Sequence, residues 1–163
     1  MKLHTRLCVF FLMTFLASCS STDNGTGEQG KWCDFTYTIP AESDPTGKEM
    51  VKTQTKVIVQ KSIYIRVADR IAVQVVWEAE NTGKETNVFS WTNKYLTDKE
   101  GRLFKPSQGY DSGEIHPLDK TGPLTVLYNL PGSVNTNDLY WGLYHGDTEH
   151  GLKYRIKLTP TTE

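Results

Sequence analysis

A chain of 163 residues is long enough for one compact domain and short for two. Its 18 Lys and Arg nearly balance 19 Asp and Glu, for a formal charge of −1 at pH 7, and no basic stripe stands out. Nucleic acid is therefore a poor partner, because such binding draws its affinity from neutralised phosphates.

Lys2 and Arg6 precede residues 7–16, which are apolar except for Thr14, and the small residues Ala17 and Ser18 lead to Cys19. A basic start, a short apolar core and a small-residue exit make a secretory leader; a membrane-spanning helix would need about 20 apolar residues. The tetrapeptide Leu16-Ala17-Ser18-Cys19 resembles the lipobox of bacterial lipoproteins. That resemblance implies removal of residues 1–18 as a signal peptide, a diacylglyceryl group on the thiol of Cys19, and attachment to the membrane through that lipid. One acyl chain binds a bilayer only marginally, whereas two or three hold it. The implied location is the cell envelope, facing the periplasm or the cell exterior, and the outer membrane in a Gram-negative cell because Ser20, not Asp, follows Cys19.

Residues 20–31, SSTDNGTGEQGK, carry no apolar side chain, so residues 19–31 read as a flexible tether spanning about 20 Å. Within it, residues 25–30 match G-x-G-x-x-G, the dinucleotide fingerprint, but neither the strand before it nor the helix after it is expected. The match is compositional. Of the three cysteines, Cys8 leaves with the leader and Cys19 takes the lipid, so Cys33 stands without a disulfide partner. Between Trp32, Phe35 and Tyr37 it is expected to be buried, the alternative being a cross-link to a second molecule.

From residue 32 to residue 160 short period-two segments alternate with Gly, Asn, Asp and Pro. Val51, Thr53, Thr55, Val57 and Val59 form one face of a long strand, and Ile63, Ile65 and Val67 continue the row. Ile71, Val73, Val75, Trp77 and Ala79 are the clearest buried row and define a central strand ending at Asn81. Residues 95–97 and 102–105 flank a hairpin loop, Asp98-Lys99-Glu100-Gly101, with Gly at the left-handed position. Residues 107–121 are polar and broken, and are expected to be a long crossing loop. Strands follow at 124–130, 139–145 and 152–158; the last carries Lys153, Arg155 and Lys157 in an outer row expected to guard a sheet edge.

This rhythm predicts an all-β immunoglobulin-like sandwich of about 7–9 antiparallel strands, with a small β-barrel as the alternative. The succession VVWEAENTGKE, LTDKEGRLF, PLTVLYNLPGS and LYWGLY resembles the telokin-like, immunoglobulin-like domains of secreted bacterial proteins and lipoproteins over residues 56–160. These are mostly domains of unknown function, so the resemblance implies a fold and a location more than an activity.

The histidines His116, His145 and His150 come with no G-x-S-x-G, H-E-x-x-H, Walker or C-x-x-C motif. No catalytic residue, cofactor or metal site is expected, and an enzyme is the least favoured class. One polar loop, His145-Gly146-Asp147-Thr148-Glu149-His150, would hold a divalent cation if His145, Asp147 and His150 converged, but its glycines fit a solvated turn better. Residues 139–144, LYWGLY, are apolar or aromatic on both faces. With Leu139, Trp141 and Leu143 in the core, Tyr140 and Tyr144 stand on the outer face around Gly142, a platform for a partner, a peptide or a sugar, or else packing beneath a loop. The expected function is an interaction or accessory module with a protein partner in the envelope. A small-ligand, carbohydrate or metal-binding lipoprotein is the alternative.

Overall fold

The computed structural model describes residues 25–40, 46, 50–89, 94–110, 113–143 and 154–161. Its strands are β1 (Gly25–Glu28), β2 (Cys33–Pro40), β3 (Met50–Val67), β4 (Arg70–Asn81), β5 (Asn87–Phe89), β6 (Lys94–Thr97), β7 (Leu103–Phe104), β8 (Gln108–Tyr110), β9 (Gly113–Ile115), β10 (Leu124–Pro131), β11 (Tyr140–Leu143), β12 (Tyr154–Lys157) and β13 (Pro160–Thr161). One sheet has the order β1-β12-β11-β6-β7; the other runs β13-β3-β4-β10-β8, with β2 also paired to β3. A two-stranded sheet, β5-β9, stands beside them. The sandwich expected from the sequence forms, and its sheets do not close into a barrel. Two pairings are parallel, β1 with β12 and β13 with β3, and the short strands β5, β7, β8, β9 and β13 carry the strand number past the 7–9 expected.

β4 is central, as its pattern requires: Ile71, Val73, Val75, Trp77 and Ala79 are all buried between the sheets. They meet Leu96 of β6, Val126, Tyr128 and Leu130 of β10, Trp141 of β11 and Ile156 of β12 in one core cluster. Trp77 and Trp141 lie with ring centroids 5.3 Å apart at 46°. A tilted aromatic pair of this kind adds about 1 kcal/mol to the area it buries. The Trp141 edge of the pair is satisfied across the sheets, where Trp141 Nε1 donates to Tyr128 Oη (2.9 Å) and Tyr128 Oη donates to the Lys94 carbonyl (3.0 Å).

β3 breaks the expected row. Val59 faces Trp77 while Lys61 faces Val76, so Gln60 is an extra residue in the ladder. Such a bulge exchanges the two faces of everything beyond it. Ser62 is buried, with Oγ bonded to Gln29 Oε1 (2.8 Å) and to the Thr159 carbonyl (3.1 Å), whereas Ile65 and Val67 are 55% and 62% exposed. Ile63, Ile65 and Val67 therefore do not continue the core face.

Two further expectations are corrected. The segment 107–121 contains β8, paired with β10, and β9, whose Ile115 is buried, so it is not a plain crossing loop. Asn81 holds it: Nδ2 donates to the carbonyls of Glu85 (2.6 Å) and Ile115 (2.8 Å), and Oδ1 accepts from Gly83 N (2.9 Å). In addition, the tether does not extend to residue 31, because β1 is a strand in the first sheet. The glycine that permits this is Gly27, where a Cβ would collide with Cys33 Sγ. The hairpin at residues 98–101 forms as expected, with Gly101 at φ 81° and Asp98 Oδ1 accepting from Arg102 N (2.9 Å).

Replacing Tyr128 by Phe keeps the ring and removes the bridge, leaving the Trp141 N–H buried without its acceptor. The expected loss is about 1–3 kcal/mol in urea unfolding; an unchanged midpoint would show that the bridge carries no stability.

Candidate functional site

The outer face of the five-stranded sheet is built by alternation. Leu96, Trp141 and Ile156 point into the core, so their neighbours Tyr95, Tyr140, Gly142, Arg155 and Lys157 belong to the opposite face. The register aligns Tyr95, Gly142 and Arg155 in one row, and Thr97, Tyr140 and Lys157 in the next. The Arg155 guanidinium sits 5.1 Å from the Tyr140 ring centroid, within cation–π range. Tyr140 is half-buried rather than a bare platform, Gly142 is buried, and Arg155 and Lys157 are exposed. Leu103 extends the face at β7, opposite Thr97. At the β1 side Glu28 pairs with Lys31 at 2.6 Å, which lowers the carboxyl pKa and raises that of the ammonium.

Tyr95 and Arg155 are the members that sequence reasoning did not group with Tyr140. Strand order, β12-β11-β6, brings them together, and no local spacing announces it. Nor does the basic row of β12 guard an edge, since β1 and β11 cover both of its sides. Tyr144, His145, Asp147, His150, Lys153 and Cys19 lie outside the described residues.

Two open clefts lie elsewhere among the described residues. One of about 360 Å³ is lined by residues of β1, by Lys31 and Trp32, and by Cys33 and Asp34. The Cys33 thiol is half-buried, packs against the core and lies 3.6 Å from the Lys31 carbonyl. Burial pushes its pKa up, with the charges of Asp34 and Glu28 adding to the effect against the opposing Glu28 backbone bond, so little thiolate forms at neutral pH. The other cleft, about 260 Å³, is lined by Glu114, His116, Asp119 and Lys120 among others. His116 is exposed, with Nδ1 3.2 Å from Thr86 Oγ1. Among the described residues no group of three or more His, Cys, Asp or Glu is arranged to hold a metal ion.

Among the described residues, the most perturbed cation is elsewhere. Lys94 points inward from β6, 3% exposed, with Nζ 5.0 Å from the Trp77 ring centroid. Burial lowers its pKa to about 7. The indole face favours the charged form by about 2 kcal/mol, less than the several kcal/mol that removal from water costs, so the direction stays downward. A buried amine of this kind marks active sites elsewhere. Here neither cleft is lined by it, and it belongs to the core between the sheets.

No protein-family model matches this chain, and no curated protein matches it. Among solved structures, a secreted protein of Mycobacterium tuberculosis, MPT63, is similar over 84% of this chain and 99% of its own, at 9% identity and a TM-score of 0.53. A Bacillus subtilis protein, ycdA, described as a candidate lipoprotein, matches 63% of this chain and 36% of its own at 13% identity and a TM-score of 0.46. An uncharacterized β-sandwich protein of Clostridium difficile matches 83% of this chain and 95% of its own at 10% identity and a TM-score of 0.42. At these identities the likeness to MPT63 is one of fold.

The unfolded Lys94 ammonium keeps its proton up to the ordinary 10.5 and the folded one only to about 7, so the unfolded chain binds the extra proton between these values. Through this group, stability rises with pH across that window and is level outside it. Lys94→Met is expected to flatten the slope of unfolding free energy against pH from about 7 to 10.5 and to stabilise the protein at pH 7; an unaltered slope would refute the assignment. On the outer face, Tyr140→Ala is expected to cost about 1 kcal/mol through the lost Arg155 contact, and Arg155→Ala in that background almost nothing more. Additive losses in the double-mutant cycle would show that the two side chains act independently.

Proposed function

We propose that this protein is a lipid-anchored extracytoplasmic immunoglobulin-like module, akin to the telokin-like domains of bacterial lipoproteins, acting as an interaction or accessory protein of the cell envelope without catalysis of its own. The carrying observation is the lipobox-like Leu16-Ala17-Ser18-Cys19 standing directly before a β-sandwich domain. A lipid at Cys19 would confine the domain to a membrane surface, where a flat sheet face meets partners at high local concentration. The Tyr95, Tyr140 and Arg155 face has the composition of a contact surface, since Tyr and Arg dominate the energetics of protein interfaces. MPT63, a secreted protein of similar fold, supports an extracytoplasmic setting.

The anchor is tested by the intact mass of the protein extracted from membranes: the expected species begins at Cys19 and carries acyl mass, and Cys19→Ala abolishes it. A species starting elsewhere without acyl mass would overturn the reading. The interaction role is tested by a photo-crosslinking residue at position 140, with position 118 as control. One envelope protein captured reproducibly at 140 and not at 118 is the expected outcome; equal capture at both, or none, would refute the assigned face.

A further inference from the structure

The incorporation of β1 into the sheet changes what an anchor at Cys19 would do. Residues 20–24 separate Cys19 from Gly25, which is paired in the sheet. Fully extended, that link reaches about 20 Å. The strand is held along its length and beyond. Gln29 N donates to the Lys157 carbonyl (3.1 Å), Gly30 N donates to the Val59 carbonyl (2.8 Å), and Gln29 Oε1 accepts from Ser62 Oγ (2.8 Å) and Thr159 N (3.2 Å).

These bonds also fix which end of the sandwich the link leaves from. Gly25 is opposite Tyr154, Tyr154 opposite Leu143, and Leu143 opposite Lys94, so all four mark one end of the first sheet. Along the second sheet, Gly27 lies against Cys33, which pairs with Val57, and Gly30 and Gln29 reach Val59 and Ser62. β1 thus runs in the same sense as β3, and the Gly25 end is the end where β3 enters the body at Thr55, opposite Asn81. Beyond that point β2 and β3 continue as a ribbon. Their ladder runs on from Thr36–Gln54 to Pro40–Met50, past the last residue of β4, with no third strand among the described residues. At about 3.3 Å per residue the ribbon projects about 15 Å, close to the reach of the link.

We propose that this ribbon rests on the lipid surface that holds Cys19, so that the domain stands on the bilayer by residues 36–40 and 50–54. The opposite end, with the hairpins at residues 68–69 and 98–101, then faces the envelope space. This rests on the anchored reading above. The occupant is a bilayer because the link brings that one surface within about 20 Å of the ribbon in every molecule, an effective concentration that a free partner does not match. An isolated two-stranded ribbon is marginally stable in water, and a supporting surface removes that difficulty.

The test uses the full protein, acylated in cells, purified and reconstituted in phosphatidylethanolamine–phosphatidylglycerol vesicles containing a headgroup-quencher lipid. A fluorophore is attached through Thr38→Cys or Lys52→Cys on the ribbon, or through Lys99→Cys at the far hairpin, in a Cys33→Ala background. Quenching at 38 and 52 is expected to exceed that at 99 by at least three-fold. The two ribbon sites lie on different strands, so a local disturbance by one label does not decide the result, and circular dichroism confirms that each labelled protein is folded. Equal quenching at all three sites, or stronger quenching at 99, in protein whose mass shows acylated Cys19 would overturn the seating while leaving the anchor intact. A mass without acyl groups would overturn both.

Discussion

Two indoles, a phenol and a lysine meet where the two sheets face each other, and the sandwich depends on their arrangement. Trp77 supplies one wall from the six-stranded sheet, Trp141 the other from the five-stranded sheet, and Tyr128 crosses between them. A single hydroxyl satisfies both the Trp141 N–H and the Lys94 carbonyl, so the bridge between the sheets has both its donor and its acceptor paired. Because no disulfide joins the described sheets, this packing and its polar bridge stand where many small domains use a covalent staple. Lys94 in the same layer works against stability near neutral pH, and the core accommodates it beneath the Trp77 face.

The second organising constraint is the bulge at Gln60. It lets one chain segment serve two sheet edges: the first half of β3 pairs with β2, while the second half turns Ser62 inward to meet Gln29 and Thr159 and pairs with β13. The apolar residues beyond it are consequently turned outward, an arrangement that a strict period-two reading assigns to the core. Through the Ser62 hydroxyl, turned inward by the bulge, β3 also holds Gln29 just after β1.

For function, the sandwich offers broad faces and open clefts, and such surfaces suit recognition of another surface. The face bearing Tyr95, Tyr140 and Arg155 lies on strands whose inward neighbours are immobilised in the core, which holds its contact groups in fixed register. If the ribbon rests on the bilayer, this face stands upright beside it, reachable by proteins of the same membrane.

Much of the architecture is legible from local pattern. The central strand at residues 70–81, the hairpin at 98–101, the inward placement of Leu139 and Trp141 and the choice of a sandwich all follow from alternation and turn residues, which act over a few positions and are written in order. Tertiary structure alone decided what depends on partners distant in the chain. Residues 25–28 carry nothing apolar and read as tether, yet become a strand because β12 presents an open edge and Cys33 fills the space that Gly27 leaves vacant. The face flip at Gln60 has no composition of its own, and Tyr95 shares a row with Arg155 only through strand order. The physical reason is the same throughout: side-chain alternation is a property of one strand, whereas edges, bulges and neighbours exist only once strands have paired.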